Sequence, residues 1–200
     1  DDTLTATGGY NSLYGGQGND VVSVAADGAG HNYLSGDLGA DTLTTSAGGA
    51  DTVRGGPGGD VIVITAHASA AGDTIVVGAG ESAAVSASDE SGLDHISGFN
   101  FASDRIVVAG HAAGSSANVT TYADPASNSS KSAAYASAYL YAYGDGTANH
   151  PAHVGTTEYL AVGESYGGTN AVYVFTADHT AVAFVGVTGA SFQSGAIAGS

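Results

Sequence analysis

The sequence predicts an all-β-dominated chain: a parallel β-roll, then a β-rich C-terminal cap carrying one α-helix. Three observations lead there. A short unit recurs through residues 1–77, glycine is concentrated at fixed places within it, and one apolar residue stands two places after a recurring acid or amide. Self-similarity at a short period marks a solenoid, in which each unit buries its apolar residue only by stacking on its neighbours.

The unit is nine residues long and is clearest in "GGQGNDVVS" (15–23), "GDLGADTLT" (36–44) and "GGPGGDVIV" (55–63). Position six is filled by Asp2, Asn11, Asp20, Asn32, Asp41, Asp51 and Asp60, and a weaker copy ends in Asp73. Position eight is Leu4, Leu13, Val22, Leu34, Leu43, Val53 and Ile62, with Ile75 in the weaker copy. The joins are mostly flush, with Val24, Ala25, Ala26 and Thr45 as interruptions. Each unit reads as a six-residue turn followed by a three-residue strand. Glycine supplies the positive φ values of the turn at low steric cost. Position eight points inward as an apolar ladder. Two units make one coil, so like turns stack on alternate edges with strands ~4.8 Å apart.

That stacking has an electrostatic consequence. One edge collects Asp2, Asp20, Asp41 and Asp60; the other collects Asn11, Asn32, Asp51 and Asp73. Carboxylates ~5 Å apart repel by roughly 3 kcal/mol at an effective dielectric near 20, so the first column calls for a counterion. Glycine-rich turns also direct backbone carbonyls into the same space. Oxygen-only donors in a flexible turn suit Ca²⁺, whereas Mg²⁺ demands a stricter octahedron and Zn²⁺ favours His or Cys. Several Ca²⁺ ions are expected, their binding energy becoming folding energy. Strong sites are expected between Asp2 and Asp20, Asp20 and Asp41, and Asp41 and Asp60. On the other edge two amides replace carboxylates, so ions there should bind more weakly or be missing at its N-terminal end.

Composition narrows the function classes. The 200 residues carry 19 acids against three bases, Arg54, Arg105 and Lys131, for a formal charge of -16. Such a surface cannot neutralise a phosphate backbone, and acidic membrane surfaces repel it, so no nucleic acid and no direct membrane insertion are expected. No uncharged apolar run approaches the ~20 residues of a membrane-spanning helix. The absence of Cys excludes a disulfide scaffold and thiolate metal sites. A chain that opens inside a repeat, without Met, reads as a fragment or processed product of something longer.

Residues 78–109 read as a linker and roll-capping strands. They carry two further Asp-x-Ile units, Asp94/Ile96 and Asp104/Ile106, with Phe99 and Phe101 placed to cover the open end of the stack. Residues 110–200 read as a helix plus antiparallel strands. Asp124 is the expected N-cap with Pro125 in the first helical position, and Gly144 supplies the stop. Ala136, Leu140 and Tyr143 share one face of this helix, with Tyr135 and Tyr139 close by; packing against the cap is the expected role of the tyrosines. Strands are expected at Glu158–Val162, Ala171–Thr176 and Ala181–Val187, joined by hairpin turns at "GESYGGTN" and "ADH". The tail beyond them should fray except around Phe192.

Four shorter patterns have bland readings. "GESYG" (163–167) matches G-x-S-x-G, but a strand rather than a helix follows, so it reads as a hairpin turn. His150 and His153 lack a third ligand at clear spacing and read as loop. Asn118 and Asn128 each open an N-x-[ST] triplet of the kind that arises by chance in a Ser/Thr-rich chain.

The three repeat units quoted above resemble the nonapeptide of RTX proteins. That resemblance implies a calcium-binding parallel β-roll, the RTX solenoid, exported by type I secretion with an uncleaved signal at the C-terminus. It also implies that Asp20, Asp41 and Asp60, with Gly16, Gly18, Gly39, Gly56 and Gly58, hold the ions. Asn11 and Asn32 depart from the consensus, as do Asp37 and Ala47 at position two. "LDHISGFNFASDRIVV" is similar to the element that follows the rolls in many RTX proteins. The segment ending "AVAFVGVTGASF" resembles C-terminal regions of exported RTX and surface-layer proteins. The implied protein is secreted and extracellular or on a bacterial cell surface. It stays unfolded in the cytosol and folds at extracellular Ca²⁺ of ~10⁻⁴–10⁻³ M. Its expected partners are calcium, the type I secretion machinery during export, and other copies of itself in a sheet or filament: a surface layer, matrix fibre or adhesin, not an enzyme. The alternative is the C-terminal secretion and folding module of an RTX exoenzyme such as a protease or lipase.

Overall fold

The computed structural model describes residues 1–25, 31–67, 71–114, 118–145, 152–154 and 158–199. Its first ten strands form the roll. β1 (Thr3–Thr7), β3 (Val21–Ala25), β5 (Thr42–Thr44), β7 (Val61–Val63) and β9 (Asp94–Ser97) lie side by side in one sheet. β2 (Ser12–Gln17), β4 (Tyr33–Leu38), β6 (Thr52–Arg54), β8 (Thr74–Val77) and β10 (Arg105–Val108) lie in the other. Every pairing among these strands is parallel, and the register is set by the repeat. Leu4, Val22, Leu43, Ile62 and Ile96 stand opposite one another along the first sheet. Leu13, Leu34, Val53, Ile75 and Ile106 do so along the second. The inward ladder expected at position eight is thus two facing ladders. Their members from Val22 onward are buried, whereas Leu4 and Leu13 in the first coil are half-buried.

The stack runs past residue 77. β9 and β10 keep the parallel register of the coils before them, so the expected boundary at 77 falls between two coils of one stack. Phe99 and Phe101 close its interior together with Phe184 and Phe192, at ring separations of 4.8 to 5.3 Å for successive contacts.

The first sheet continues into the C-terminal half. β14 (Ala181–Val185) pairs parallel with β9, then β13 (Thr169–Thr176) and β12 (Tyr159–Tyr166) follow antiparallel. β11 (Val119–Asn128) completes the edge, parallel to β12. One face of this extension joins the roll interior through Val172, Val174, Val182 and Phe184. The other face, with Leu160, Val162, Tyr173 and Phe175, is covered by α1 (Lys131–Tyr143).

Three expectations are corrected here. The helix begins at Lys131, not after Asp124, because residues 119–128 are drawn into the sheet beside β12. Ser130 is the N-cap, its hydroxyl accepting the Ala133 N–H at 3.2 Å, while Gly144 ends the helix as expected with φ 69°. The register of β11 shifts between Ala123 and Ser127, and an edge strand tolerates Pro125 there because its missing N–H interrupts no central ladder. The buried helix face is Ala134, Tyr135, Ala138 and Ala142, which the small alanines allow to sit close to the sheet, rather than the face of Ala136, Leu140 and Tyr143. The tail does not fray after Phe192: β15 (Ile197–Ala198) pairs parallel with β10 and extends the second sheet.

"GESYG" is also placed differently. Glu164, Ser165 and Tyr166 belong to β12, and the turn is Gly167–Gly168, with φ 54° and 82°, between Tyr166 and Thr169. Such a two-residue hairpin needs positive φ at both places, which glycine provides. His150 lies outside the described residues; His153 stacks on Tyr141 at 4.3 Å. Asn118 donates to Ala113 and Glu158, and Asn128 to Glu164, so both side chains serve contacts within the fold.

Candidate metal centre

Turns leading from the second sheet to the first carry Asp20, Asp41 and Asp60, and Asp2 just before β1 and Asp94 at the start of β9 extend that edge. Turns on the opposite edge carry Asn11, Asn32, Asp51 and Asp73, extended by Asp104. Both sequence-derived columns are therefore assembled by the fold, each one coil longer than the repeat alone indicates.

On both edges one side-chain oxygen has the same task. Oδ1 of Asp20, Asp41, Asp60 and Asp94 accepts the backbone N–H of the equivalent residue one coil earlier, at 2.5, 2.7, 2.8 and 3.0 Å. On the opposite edge Asn32, Asp51, Asp73 and Asp104 do the same for Asn11, Asn32, Asp51 and Asp73, at 3.1, 2.8, 2.9 and 3.0 Å. Position six thus ties coil to coil through the backbone before any ion is considered.

The second oxygen is where chemistry remains to be done. Oδ2 of Asp20, Asp41 and Asp60 is buried and has no hydrogen-bond partner. Leaving a carboxylate oxygen buried and unpaired is costly, so such an atom marks a place for a cation. Burial raises the pKa of Asp41 against the opposing Asp20 N–H, and pushes that of Asp60 up to about 7. Asp94 is raised well above the usual carboxylate range, again by burial first and then by the charge of Asp60.

Glycine makes room beside these oxygens. A Cβ on Gly15 would stand 2.6 Å from both Asp20 Oδ2 and the Gly36 carbonyl oxygen. One on Gly36 would stand 2.1 Å from Asp41 Oδ2 and 2.6 Å from the Gly55 carbonyl oxygen. Each space therefore borders a free carboxylate oxygen and a carbonyl from the next coil, the donor set a hard cation takes. Sequence reasoning singled out positions two and four and passed over these position-one glycines. The signal was present, since Gly15, Gly36 and Gly55 recur at one place in the three clearest units.

The glycines that were singled out serve the turn itself. Gly16, Gly18, Gly39, Gly56 and Gly58 all have φ between 98° and 150°. Side chains are also excluded at Gly39 and Gly58, where a Cβ would fall within 2 Å of the carbonyl oxygens of Gly18 and Gly39. Among the described residues no three His, Cys, Asp or Glu side chains converge on one point, so a site here depends on carbonyls as well as carboxylates.

Comparison with known families agrees with this geometry. The RTX calcium-binding nonapeptide repeat, in four copies, matches residues 1–28 and 27–62. Searches of curated proteins and of solved structures gave no match to the chain. RTX repeats are typical of secreted extracellular proteins, and no described helix is long and apolar enough to cross a membrane. Residues 1–62 match the RTX calcium-binding nonapeptide repeat, which indicates a calcium-binding module of a kind typical of secreted proteins.

Proposed function

We propose that the chain is a calcium-organised structural module that folds outside the cell and associates with copies of itself. The observation that carries the calcium step is the run of buried, unpartnered Oδ2 atoms of Asp20, Asp41 and Asp60, each beside a space bordered by glycine. Asp20, Asp41 and Asp60 hold the ions, with backbone carbonyls from the neighbouring coil such as those of Gly36 and Gly55. A bound divalent cation supplies the positive charge that lets the stacked carboxylates lie side by side. The chain's own residues do the rest: Oδ1 fixes each turn to its neighbour, and the positive-φ glycines hold the carbonyls in place. At low calcium the acidic repeats repel one another and the chain can thread a type I export channel; at higher calcium the coils close.

A structural rather than catalytic role is supported by the setting of Ser165, which lies in a strand that leads into another strand. Self-association is supported by the exposed apolar side chains of Tyr10, Tyr14 and Leu38 on the roll. A surface layer, matrix fibre or adhesin fits these features.

Two measurements test the reading. Circular dichroism during calcium titration should show the β-signal rising with calcium and falling, without vanishing, in chelator; a signal indifferent to both overturns the folding step. Asp41→Asn should shift the titration midpoint at least tenfold to higher calcium. Electron microscopy and light scattering at millimolar calcium should show sheets or filaments. A chain that stays monomeric there refutes the assembly role and favours the folding and secretion tail of an exoenzyme.

A further inference from the structure

The two edges of the roll share a backbone pattern, yet their second oxygens meet different fates. Where Asp20, Asp41 and Asp60 leave Oδ2 unpaired, the opposite edge satisfies Oδ2 of Asp51 and Asp104 from within the protein. Asp51 Oδ2 accepts both the N–H and the hydroxyl of Ser46, at 2.9 and 3.0 Å. Ser46 occupies position one of its unit, the place held by Gly15, Gly36 and Gly55 on the other edge. Asp104 Oδ2 accepts the Asn100 N–H at 2.7 Å. Asp104 Oδ1 takes the Asp73 N–H and lies 2.8 Å from His67 Nε2, with both side chains buried.

At the N-terminal end the edge is closed by amides. Asn11 Nδ2 donates to the Gly8 carbonyl at 2.8 Å and to Asn32 Oδ1 at 3.0 Å. Asn32 Nδ2 donates in turn to Asp51 Oδ1 at 2.9 Å. These NH₂ groups bring the positive ends of N–H dipoles between successive coils, where a cation would need oxygen lone pairs. Asp73 Oδ2 alone is left over. It lies near the Thr45 hydroxyl, and the second oxygens of the acids on either side, Asp51 and Asp104, are already engaged. One free oxygen flanked by two carboxylates already engaged is a poor seat for an ion that takes six to eight ligands.

We infer that calcium is taken up on one edge only, beside Asp20, Asp41 and Asp60, and that the edge running from Asn11 to Asp104 is held by protein hydrogen bonds where ions would otherwise sit. This rests on the calcium-binding reading above and restricts it. The amides make the N-terminal end of that edge visible in the sequence. Ser46, Asn100 and His67 extend the closure to its far end, and they act through tertiary contacts that no repeat pattern encodes.

The test is to locate and count ions in the intact chain. Crystals grown in calcium and measured at long wavelength should show anomalous peaks beside Asp20, Asp41 and Asp60 and none beside Asn32, Asp51 or Asp104. Equilibrium dialysis with elemental analysis at saturating calcium gives the count in solution. Asp41→Asn should lower it, and Asp104→Asn should leave it unchanged. Peaks on both edges, or a lower count in Asp104→Asn, overturn the one-edge inference while sparing the calcium reading. No bound calcium on either edge overturns both. Should Asp104→Asn fail to fold, the anomalous peaks of the unmodified chain decide alone.

Discussion

In the roll, β5, β6 and β7 are each three residues long and each gives one fully buried side chain, whereas β12 and β13 run for eight residues and bury side chains on both faces. The roll obtains its cohesion from many short parallel pairings and from turns that bring carboxylates together. The antiparallel half obtains it from Tyr173, Phe175, Tyr135 and Phe184, all nearly inaccessible to solvent. Burying aromatic side chains of this size stabilises by about 1.5–3 kcal/mol each without help from any solute. On the proposed reading, one continuous sheet joins a part whose stability is conditional on an ion to a part held by its own aromatic core.

Removing calcium is the largest perturbation of that comparison. In chelator, hydrogen exchange should show the amides of β3, β5 and β7 losing protection while α1, β12 and β13 keep theirs. Uniform loss across both halves would mean that the shared sheet makes them a single cooperative unit. The complementary experiment strikes the other half. Phe175 packs edge-on against Tyr143 at 5.5 Å and is completely buried. Phe175→Ala should therefore cost about 3–5 kcal/mol, read in a denaturant titration held at saturating calcium. An equal loss of calcium affinity in that variant would blur the division between the halves.

A smaller effect concerns pH in the metal-free chain. Asp60 titrates near 3.8 when unfolded and at about 7 when folded, so the folded state holds the extra proton between those values. Its contribution to stability is fully present below the unfolded value and is lost as pH rises through the folded one. In chelator, lowering the pH from 7.5 to 5 should accordingly recover part of the roll's β-structure, read by circular dichroism. With calcium the trend should reverse, since the ion competes with that proton. Smallest is the helix cap: Ser130→Ala removes the hydroxyl that accepts the Ala133 N–H and should cost about 1 kcal/mol, equally with and without calcium.

What could be read from the sequence follows the same division. The repeat is a local pattern, so position six, position eight and the two columns were all legible, down to the ladder from Leu4 to Ile62. The continuation of the columns in Asp94 and Asp104 was visible only as two isolated Asp-x-Ile units, because the turns before them do not keep the glycine spacing. In the C-terminal half the three hairpin strands were legible from their apolar runs. The start of the helix was not. "DP" is a sound local start signal, yet pairing of residues 119–128 with β12 outweighs it, and Ser130 takes over the cap. Likewise nothing local in "GAIAG" marks β15, whose partner β10 lies far back in the chain. Within the site, the carboxylates were legible as chemistry, whereas the position-one glycines matter for the side chain they lack.

The pairing of β15 with β10 has a kinetic consequence. Ile197 meets Ile106 across the whole segment that holds β11 to β14 and α1, and contacts between residues distant in sequence form slowly because the chain entropy of bringing them together must be overcome first. Until the tail arrives, β10 presents a bare hydrogen-bonding edge of four residues, an invitation to intermolecular pairing. A strand of two residues at the end of the described chain therefore covers an edge that would otherwise be open to clumping between molecules.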